Sequence, residues 1–167
     1  MLYYILIACV ALLDQLVKYV VQLKLSPFQS ITVWGEWVSL TYVMNQGAAF
    51  GILESQRIFL IAVAVGVFLF TWYIREELKK YPRLFQLGIA IALGGALGNL
   101  IDRIRLGFVI DFIDVHFWPV FNIADIAIVL GIILILFSIA KFPKKKSSSQ
   151  SDRVMQTANR PGVEEDN

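Results

Sequence analysis

Four apolar stretches in this 167-residue chain approach the length that a helix needs to cross a membrane. They run over Leu2–Leu23, Arg57–Ile74, Leu84–Ile104 and Phe121–Ala140. A helix of about 20 apolar residues spans the hydrocarbon core of a bilayer. The chain is 57% apolar with a mean hydropathy of +0.67, whereas soluble domains are about 45–50% apolar. We therefore predict an all-α membrane protein with four transmembrane helices in residues 1–146.

Basic residues flank these stretches unequally. One side has Arg75, Lys79, Lys80 and Arg83 and then Lys141, Lys144, Lys145 and Lys146, and the other has only Lys24, Arg57, Arg103 and Arg105. Because basic residues concentrate on the cytoplasmic side of a membrane, we predict that both termini are cytoplasmic. Residues 147–167 are polar and almost free of apolar side chains, a composition that predicts a disordered cytoplasmic tail.

The outward-facing segment, at about residues 24–56, has the pattern of two short strands. Ile31–Trp34 and Trp37–Tyr42 are rich in β-branched and aromatic residues and flank a Gly-Glu turn, so we predict a small extracytoplasmic β-element there. Aromatic residues of this kind also favour the membrane interface. The candidates for that interface are Trp34, Trp37, Tyr42, Phe117 and Trp118.

Composition excludes several function classes. The net charge is +2 and the basic residues form no stripe, so no nucleic-acid partner is expected. The single cysteine, Cys9, and the single histidine, His116, are too few to build a transition-metal site of ordinary composition. The chain has no Gly-x-Ser-x-Gly motif, which argues against a serine hydrolase of that type. We predict that the protein uses no metal and no cofactor.

Polar residues inside the apolar stretches are the strongest functional signal, because an ionisable group at that depth costs roughly 2.5–3.5 kcal/mol on insertion scales. Asp14 and Lys18 are spaced i, i+4, which predicts a pair on one helix face. In the third stretch Gly94, Gly95 and Gly98 permit close helix contact. Asn99, Asp102 and Arg103 follow on one face.

Two roles are open for this polar face. Asn99 with Arg103 is suited to holding a carbonyl or an anionic head group, while Asp102 is suited to pairing with Arg103, Arg105 or Lys18.

Asn45 and Gly47 lie in an Asn-Gln-Gly-Ala-Ala-Phe-Gly run that lets another backbone approach closely.

Asp111, Asn122 and Asp125 indicate acid–base chemistry. Asn122 and Asp125 are spaced i, i+3 at the start of the fourth stretch, and Asp111 lies in an apolar Val-Ile-Asp-Phe run. Two carboxylates in different environments suit an aspartic peptidase, in which one activates water and the other, protonated, polarises a carbonyl. Asp102 is also eligible as the partner of Asp125, but its neighbour Arg103 favours a fixed charge, whereas the apolar flanks of Asp111 favour proton exchange.

Two other function classes remain open on the residues alone. One is a small proton-coupled channel or transporter in which Asp14, Asp102 and Asp125 form a relay. The other is a structural protein whose polar residues only join helices.

Five motifs occur along the chain in a characteristic order. They are Asp14-Gln15-Leu16-Val17-Lys18, Asn45-Gln46-Gly47-Ala48-Ala49-Phe50, the run from Gly94 to Arg103, Val109-Ile110-Asp111-Phe112 and Phe121-Asn122-Ile123-Ala124-Asp125. In these the chain resembles the lipoprotein signal peptidase family, also called signal peptidase II, of bacterial cytoplasmic membranes.

The resemblance implies an aspartic endopeptidase that removes the signal peptide of a prolipoprotein just before its diacylglyceryl-cysteine, near the outer leaflet. It implies that Asp111 and Asp125 are catalytic, that Asn45, Gly47, Asn99, Arg103 and Asn122 surround the peptide, and that Asp14, Lys18 and Asp102 support the site. A further carboxylate, Asp114, lies between the two catalytic candidates. The resemblance also implies inhibition by globomycin-like peptides, and we expect a monomer surrounded by membrane lipid.

Overall fold

The computed structural model describes residues 2–47 and 56–142, which form five helices and three short strands. The elements in order are α1 (Leu2–Lys24), β1 (Ser30–Trp34), β2 (Val38–Asn45), α2 (Arg57–Tyr73), α3 (Arg75–Leu78), α4 (Arg83–Arg105), β3 (Val109–Asp114) and α5 (Ile123–Lys141). The predicted tail, 147–167, lies outside the described residues. The protein is therefore mostly helical, as the sequence predicts.

Three of the helices have the length and composition of membrane spans. α1 and α4 have 23 residues each and α5 has 19. α2 is equally apolar in character but has only 17 residues, which is the lower end of the range for a spanning helix, about 17–25 residues. α1, α4 and α5 are therefore candidate membrane spans by length and composition, and α2 is a shorter apolar helix.

α4 lies at the centre of the bundle and packs mainly against α5 and α1. Its glycines allow this close approach. A Cβ atom on Gly98 would lie 2.5 Å from Asp14 Oδ2 in α1, and one on Gly95 would overlap the Ala124 carbonyl oxygen in α5. The three glycines predicted to permit close helix contact lie on two sides of α4. Gly94 and Gly98 contact α1, and Gly95 contacts α5.

The three strands form one antiparallel sheet in the order β1-β2-β3. The two strands predicted from the sequence are confirmed. The third, β3, was not predicted, because a six-residue apolar segment after a long helix shows no pattern of its own. β3 pairs with β2 through Val43 opposite Asp111 and Asn45 opposite Val109.

A small core joins the sheet to the end of α1. It consists of Val21, Leu25, Tyr42, Ile110 and Phe112. The assignment of Tyr42 to the membrane interface is wrong, since its side chain is only 7% exposed in this core. Trp34, Trp37 and Phe117 are each at least 70% exposed, as an interfacial residue would be.

A short return loop brings the start of α5 beside β3. The Phe121 carbonyl accepts hydrogen bonds from Phe112 N at 3.0 Å and Ile113 N at 2.8 Å. These bonds hold Asn122, the residue that precedes α5, against the middle of β3. The polar residues of α1, α4, α5 and the sheet therefore meet at one end of the bundle.

Candidate active site

Asp111 is buried on β3 with its side chain directed away from the core. Successive side chains of a strand point to opposite faces. Since Ile110 and Phe112 fill the core, Asp111 faces the helices. On the adjacent strand Asn45 is two residues from Val43, the partner of Asp111, and so lies on the same face. Asn45 Nδ2 donates a hydrogen bond to Asp111 Oδ2 at 2.8 Å.

Asp125 is held by the N-terminus of α5 through a capping box. Asn122, the N-cap, accepts a hydrogen bond on its Oδ1 from Asp125 N at 2.9 Å, and Asp125 Oδ2 accepts one from Asn122 N at 3.2 Å. This reciprocal arrangement satisfies backbone donors that a helix start leaves free. The i, i+3 spacing of the two residues is thus the spacing of the cap itself.

Two asparagines connect the carboxylates. Asn122 Nδ2 donates to Asp111 Oδ1 at 2.6 Å and to Asn99 Oδ1 at 3.1 Å. Asn99 Nδ2 in turn donates to Asp125 Oδ1 at 2.8 Å. Asp111 and Asp125 therefore belong to one hydrogen-bonded network built from β3, α4 and α5.

Lys18 supports this network from α1. Its ammonium lies 2.8 Å from Asp14 Oδ2, 2.8 Å from Asp102 Oδ2 and 2.9 Å from Asn99 Oδ1. Asp14 Oδ2 is compensated by the charge rather than by a well-aligned hydrogen bond. The predicted pairing of Asp14 with Lys18 is present. Of the three cations considered for Asp102, Lys18 is the one that forms the ion pair.

Asp102 and Asp14 also join elements through backbone groups. Asp102 Oδ2 accepts from Ile110 N in β3 at 3.2 Å, and Asp14 Oδ1 accepts from Ala124 N in α5 at 2.9 Å. Gln15, which the sequence did not single out, donates to Asp102 Oδ1 at 2.8 Å and to the Gly98 carbonyl at 3.1 Å. A lone glutamine beside an aspartate carries no pattern from which this role follows.

Arg103 lies at the mouth of the network. It is half-buried, and its Nη2 donates to the Gly47 carbonyl at 3.0 Å. Gly47 N donates to Asn45 Oδ1 at 2.9 Å. The Arg103 guanidinium is also close enough to interact electrostatically with Asp125, Asp111 and Asp102. The rest of the Asn-Gln-Gly-Ala-Ala-Phe-Gly run, residues 48–51, lies outside the described residues.

All ten predicted site residues are therefore joined by hydrogen bonds or ion pairs. They are Asp14, Lys18, Asn45, Gly47, Asn99, Asp102, Arg103, Asp111, Asn122 and Asp125. Both amide atoms of Asn99 bond to residues of the network.

Burial sets the proton affinity of Asp111. Its side chain is 2% exposed, and desolvation raises its pKa from 3.8 to about 7. The hydrogen bond from Asn45 lowers this pKa, and the nearby charge of Asp125 raises it. A carboxyl group with a pKa near neutral can hold or release a proton in the range where enzymes work.

Asp114 does not compete for the site. It is three residues beyond Asp111 on the same strand, so its side chain is on the opposite face. Its Oδ2 accepts from Thr41 Oγ1 at 3.0 Å and its Oδ1 accepts from His116 N at 2.9 Å. Asp111, and not Asp114, therefore faces the network.

Ser39, His116 and Asp114 are close together, but they do not form a hydrolytic triad. Ser39 Oγ is 3.3 Å from His116 Nε2, and His116 Nδ1 is 3.5 Å from Asp114 Oδ1. Ser39, however, is only 3% exposed. A nucleophile must reach a substrate carbonyl, so this serine acts as a structural partner of the loop that contains His116.

A cavity in the bundle lies apart from the polar network. A cavity of about 450 Å³ lies at the other end of the bundle, lined by Tyr3 and Ile7 of α1, Phe68 of α2 and Ile89 of α4. It has no carboxylate in its lining. The polar network is instead at the opposite end of the bundle, where Asp125 and Arg103 are only partly buried.

The chain is similar to known proteins over most of its length. The profile of the Signal peptidase (SPase) II family matches residues 6–141. Lipoprotein signal peptidase of Moorella thermoacetica is 44% identical over 127 residues, which cover 76% of this chain and 85% of that protein. The same enzyme of Halothermothrix orenii is 44% identical over 135 residues, 80% of this chain and 91% of that protein.

Solved structures give the same answer for the fold. A bacterial membrane enzyme determined by the in meso method superposes with a TM-score of 0.80 at 31% identity, covering 87% of this chain and 92% of that one. Since the family profile spans most of the sequence and all five motifs, the chain belongs to the signal peptidase II family, the family of lipoprotein signal peptidases.

Proposed function

We propose that this protein is a membrane-embedded aspartic endopeptidase that removes the signal peptide of diacylglyceryl-modified prolipoproteins, cutting just before the lipidated cysteine. Membership of the signal peptidase II family supports the class of reaction and the substrate. The single observation that carries the mechanism is that Asp111 and Asp125 both accept hydrogen bonds from Asn122, while Asp111 is buried and Asp125 is only partly buried.

The two carboxyl groups have complementary tasks. Asp111, held protonated by burial, donates a hydrogen bond to the scissile carbonyl oxygen. Asp125, at the half-exposed edge, takes a proton from a water molecule whose oxygen attacks the carbonyl carbon. Collapse of the tetrahedral intermediate breaks the C–N bond, and the proton taken up by Asp125 passes to the leaving amine. A new carboxylic acid and a new amino-terminal cysteine result, without a metal.

The remaining residues hold this pair in place. Asn45 and Asn122 fix Asp111, while Asn99 and Asn122 fix Asp125. Asn99 accepts a hydrogen bond from Lys18 and donates one to Asp125, so the buried positive charge of Lys18 is linked to Asp125 through one side chain. Arg103 and Gly47 lie at the mouth and would meet the peptide backbone.

We propose that the protein spans the bacterial cytoplasmic membrane four times, with α2 as the fourth span. Lys79, Lys80 and Lys141 lie at the end of the bundle opposite the carboxylates. By the positive-inside rule both termini are cytoplasmic and the active site faces the outer leaflet. The unit is residues 1–146 acting as a monomer in membrane lipid, with 147–167 as a cytoplasmic tail, and globomycin-like peptides would compete at the site.

The relay alternative fits the geometry less well. A proton path needs groups that exchange protons with both surfaces. Asp14 and Asp102 are at most 2% exposed and share one lysine. Such a pair of carboxylates on one cation has the arrangement of a structural link between helices.

Activity should fall as the pH rises through about 7. Because the pKa of Asp111 is raised from 3.8 to about 7, this carboxyl is protonated below that pH and ionised above it. Its ionised form cannot donate to the carbonyl, so kcat should decline on the alkaline side. The measurement is kcat against pH. Asn45→Leu removes a bond that lowers this pKa and should move the decline to higher pH; a flat profile from about pH 6 to about pH 9 would contradict the assignment.

Cleavage of a matched pair of precursor peptides tests the proposed function. The peptides share one sequence, and only one has diacylglycerol on its cysteine. In detergent with excess EDTA, the lipidated peptide should yield a product that begins at the lipidated cysteine. The unlipidated peptide should react far more slowly, because each buried methylene contributes about 0.8 kcal/mol to retention at the proper depth. Equal rates, or activity that returns only with added Zn²⁺, would refute the proposal.

A further inference from the structure

Arg57, the first residue of α2, reaches the end of another helix. Its Nε donates to the Arg103 carbonyl at 2.7 Å and its Nη2 donates to the Ile104 carbonyl at 2.9 Å. α4 ends at Arg105, so both carbonyls belong to its last turn and have no partner within the helix. A cation at this position also interacts favourably with the helix dipole.

The position of Arg57 is unfavourable for its own helix. A positive charge in the first turn opposes the dipole of α2. The first turn contains no acidic residue, and Gln56 at the N-cap gives no side-chain hydrogen bond within the described chain. A residue that breaks a local rule is best explained by an interaction elsewhere, and here that interaction is with α4.

The turn after α4 is shaped around the same guanidinium. Gly107 has φ +89, a conformation that favours glycine, and a Cβ there would lie 3.3 Å from Arg57 Nη1. This turn leads directly into β3, the strand of Asp111. Arg57 therefore contacts both the end of α4 and the connection to the catalytic strand.

Arg103, whose carbonyl accepts a hydrogen bond from Arg57, has its side chain at the candidate site. The Arg103 side chain donates to Gly47 and interacts electrostatically with Asp111 and Asp125. α2 itself packs mainly on α4, and within the described chain none of its residues is buried. The two bonds from Arg57 thus anchor α2 to α4 at the end of the bundle where Arg103 must be held.

We propose that Arg57 is a positioning residue of the peptidase: by fixing the last turn of α4, it holds the Arg103 guanidinium beside Gly47 and the two aspartates and so sets the affinity for the peptide. This inference rests on the proposed function. Arg57 touches no reacting atom. Its loss should therefore act on KM and leave kcat per folded molecule nearly unchanged.

The test compares Arg57→Gln, Arg57→Lys and the control Lys24→Gln, which removes an exposed cation on the same side of the membrane. Arg57→Gln should raise KM about tenfold with kcat within about twofold. Arg57→Lys keeps the charge and one donor and should recover part of the affinity. Lys24→Gln should match the wild type. Thermal unfolding of each variant reports the folded fraction.

A second readout separates this inference from the proposed function. In an Asp125→Asn background, binding of the intact lipidated precursor needs no turnover, and Arg57→Gln should weaken it by the same factor. A change in unfolding temperature alone, with KM and precursor affinity per folded molecule equal to the wild type, would overturn the inference. A wild-type enzyme that cuts no precursor would instead overturn the proposed function, while the binding comparison still decides the role of Arg57.

Discussion

Replacing Asp111 by asparagine should lower the rate of signal-peptide cleavage by several orders of magnitude while the protein remains folded. Asparagine has nearly the same shape as the protonated carboxyl, which is the main form of Asp111 below about pH 7 because its pKa is raised to about 7. The substitution therefore removes the acid without adding a buried charge. The variant should still bind the lipidated precursor and globomycin. The measurement is single-turnover cleavage together with precursor binding.

Asp102→Asn is the matched control for this prediction. Asp102 is as buried as Asp111, at 2% exposure, but it pairs with Lys18 and accepts hydrogen bonds from Gln15 and Ile110 N. Its loss should lower thermal stability or yield, with a smaller effect on activity per folded molecule. A stable, precursor-binding Asp102→Asn that is fully inactive, beside an active Asp111→Asn, would show that the wrong acid has been paired with Asp125.

Lys18→Met should be the most destabilising single substitution in the network. Lys18 is 1% exposed and compensates two buried carboxylates, Asp14 and Asp102. Removing one partner of a buried ion pair leaves an uncompensated charge and costs about 3–5 kcal/mol. Asn99 would also lose a donor that orients its amide towards Asp125. Reversible unfolding in detergent measures the change in the free energy of unfolding.

Lys24→Met, an exposed cation at the end of the same helix, is the control and should change the free energy of unfolding by no more than about 0.5 kcal/mol. Adding Asp102→Asn to Lys18→Met should recover part of the lost stability, because one of the unpaired charges is then absent. A Lys18→Met protein as stable as the control would show that the ion cluster does not hold the helices together.

The sequence predicts those parts of the fold that have a local period. Asp14 and Lys18 at i, i+4 lie on the buried face of α1, together with Ala11 and Val21. Residues spaced i, i+4 lie on the same face of any α-helix, so this prediction does not depend on the rest of the chain. The long apolar stretches likewise determine α1, α4 and α5 as helices of spanning length.

Partners between elements follow less directly from the sequence. Lys18 was one of three cations eligible to pair with Asp102, and only the packing of α1 against α4 selects it. Tyr42 matches an interfacial residue in type, but the register of β2 turns it into the core. Gln15 and Arg57 each donate two hydrogen bonds to α4 across the bundle. Neither belongs to a pattern that spacing can reveal.

A double-mutant cycle over Asp111 and Asp125 tests the central claim, that these two carboxyl groups act as one catalytic unit. The measurement is the single-turnover rate on the lipidated precursor for the wild type, Asp111→Asn, Asp125→Asn and the double variant, each corrected for bound precursor. Residues of one catalytic unit are strongly non-additive, so each single variant should be about as inactive as the double. Additive losses, or a single variant that retains most of the wild-type rate, would contradict the account.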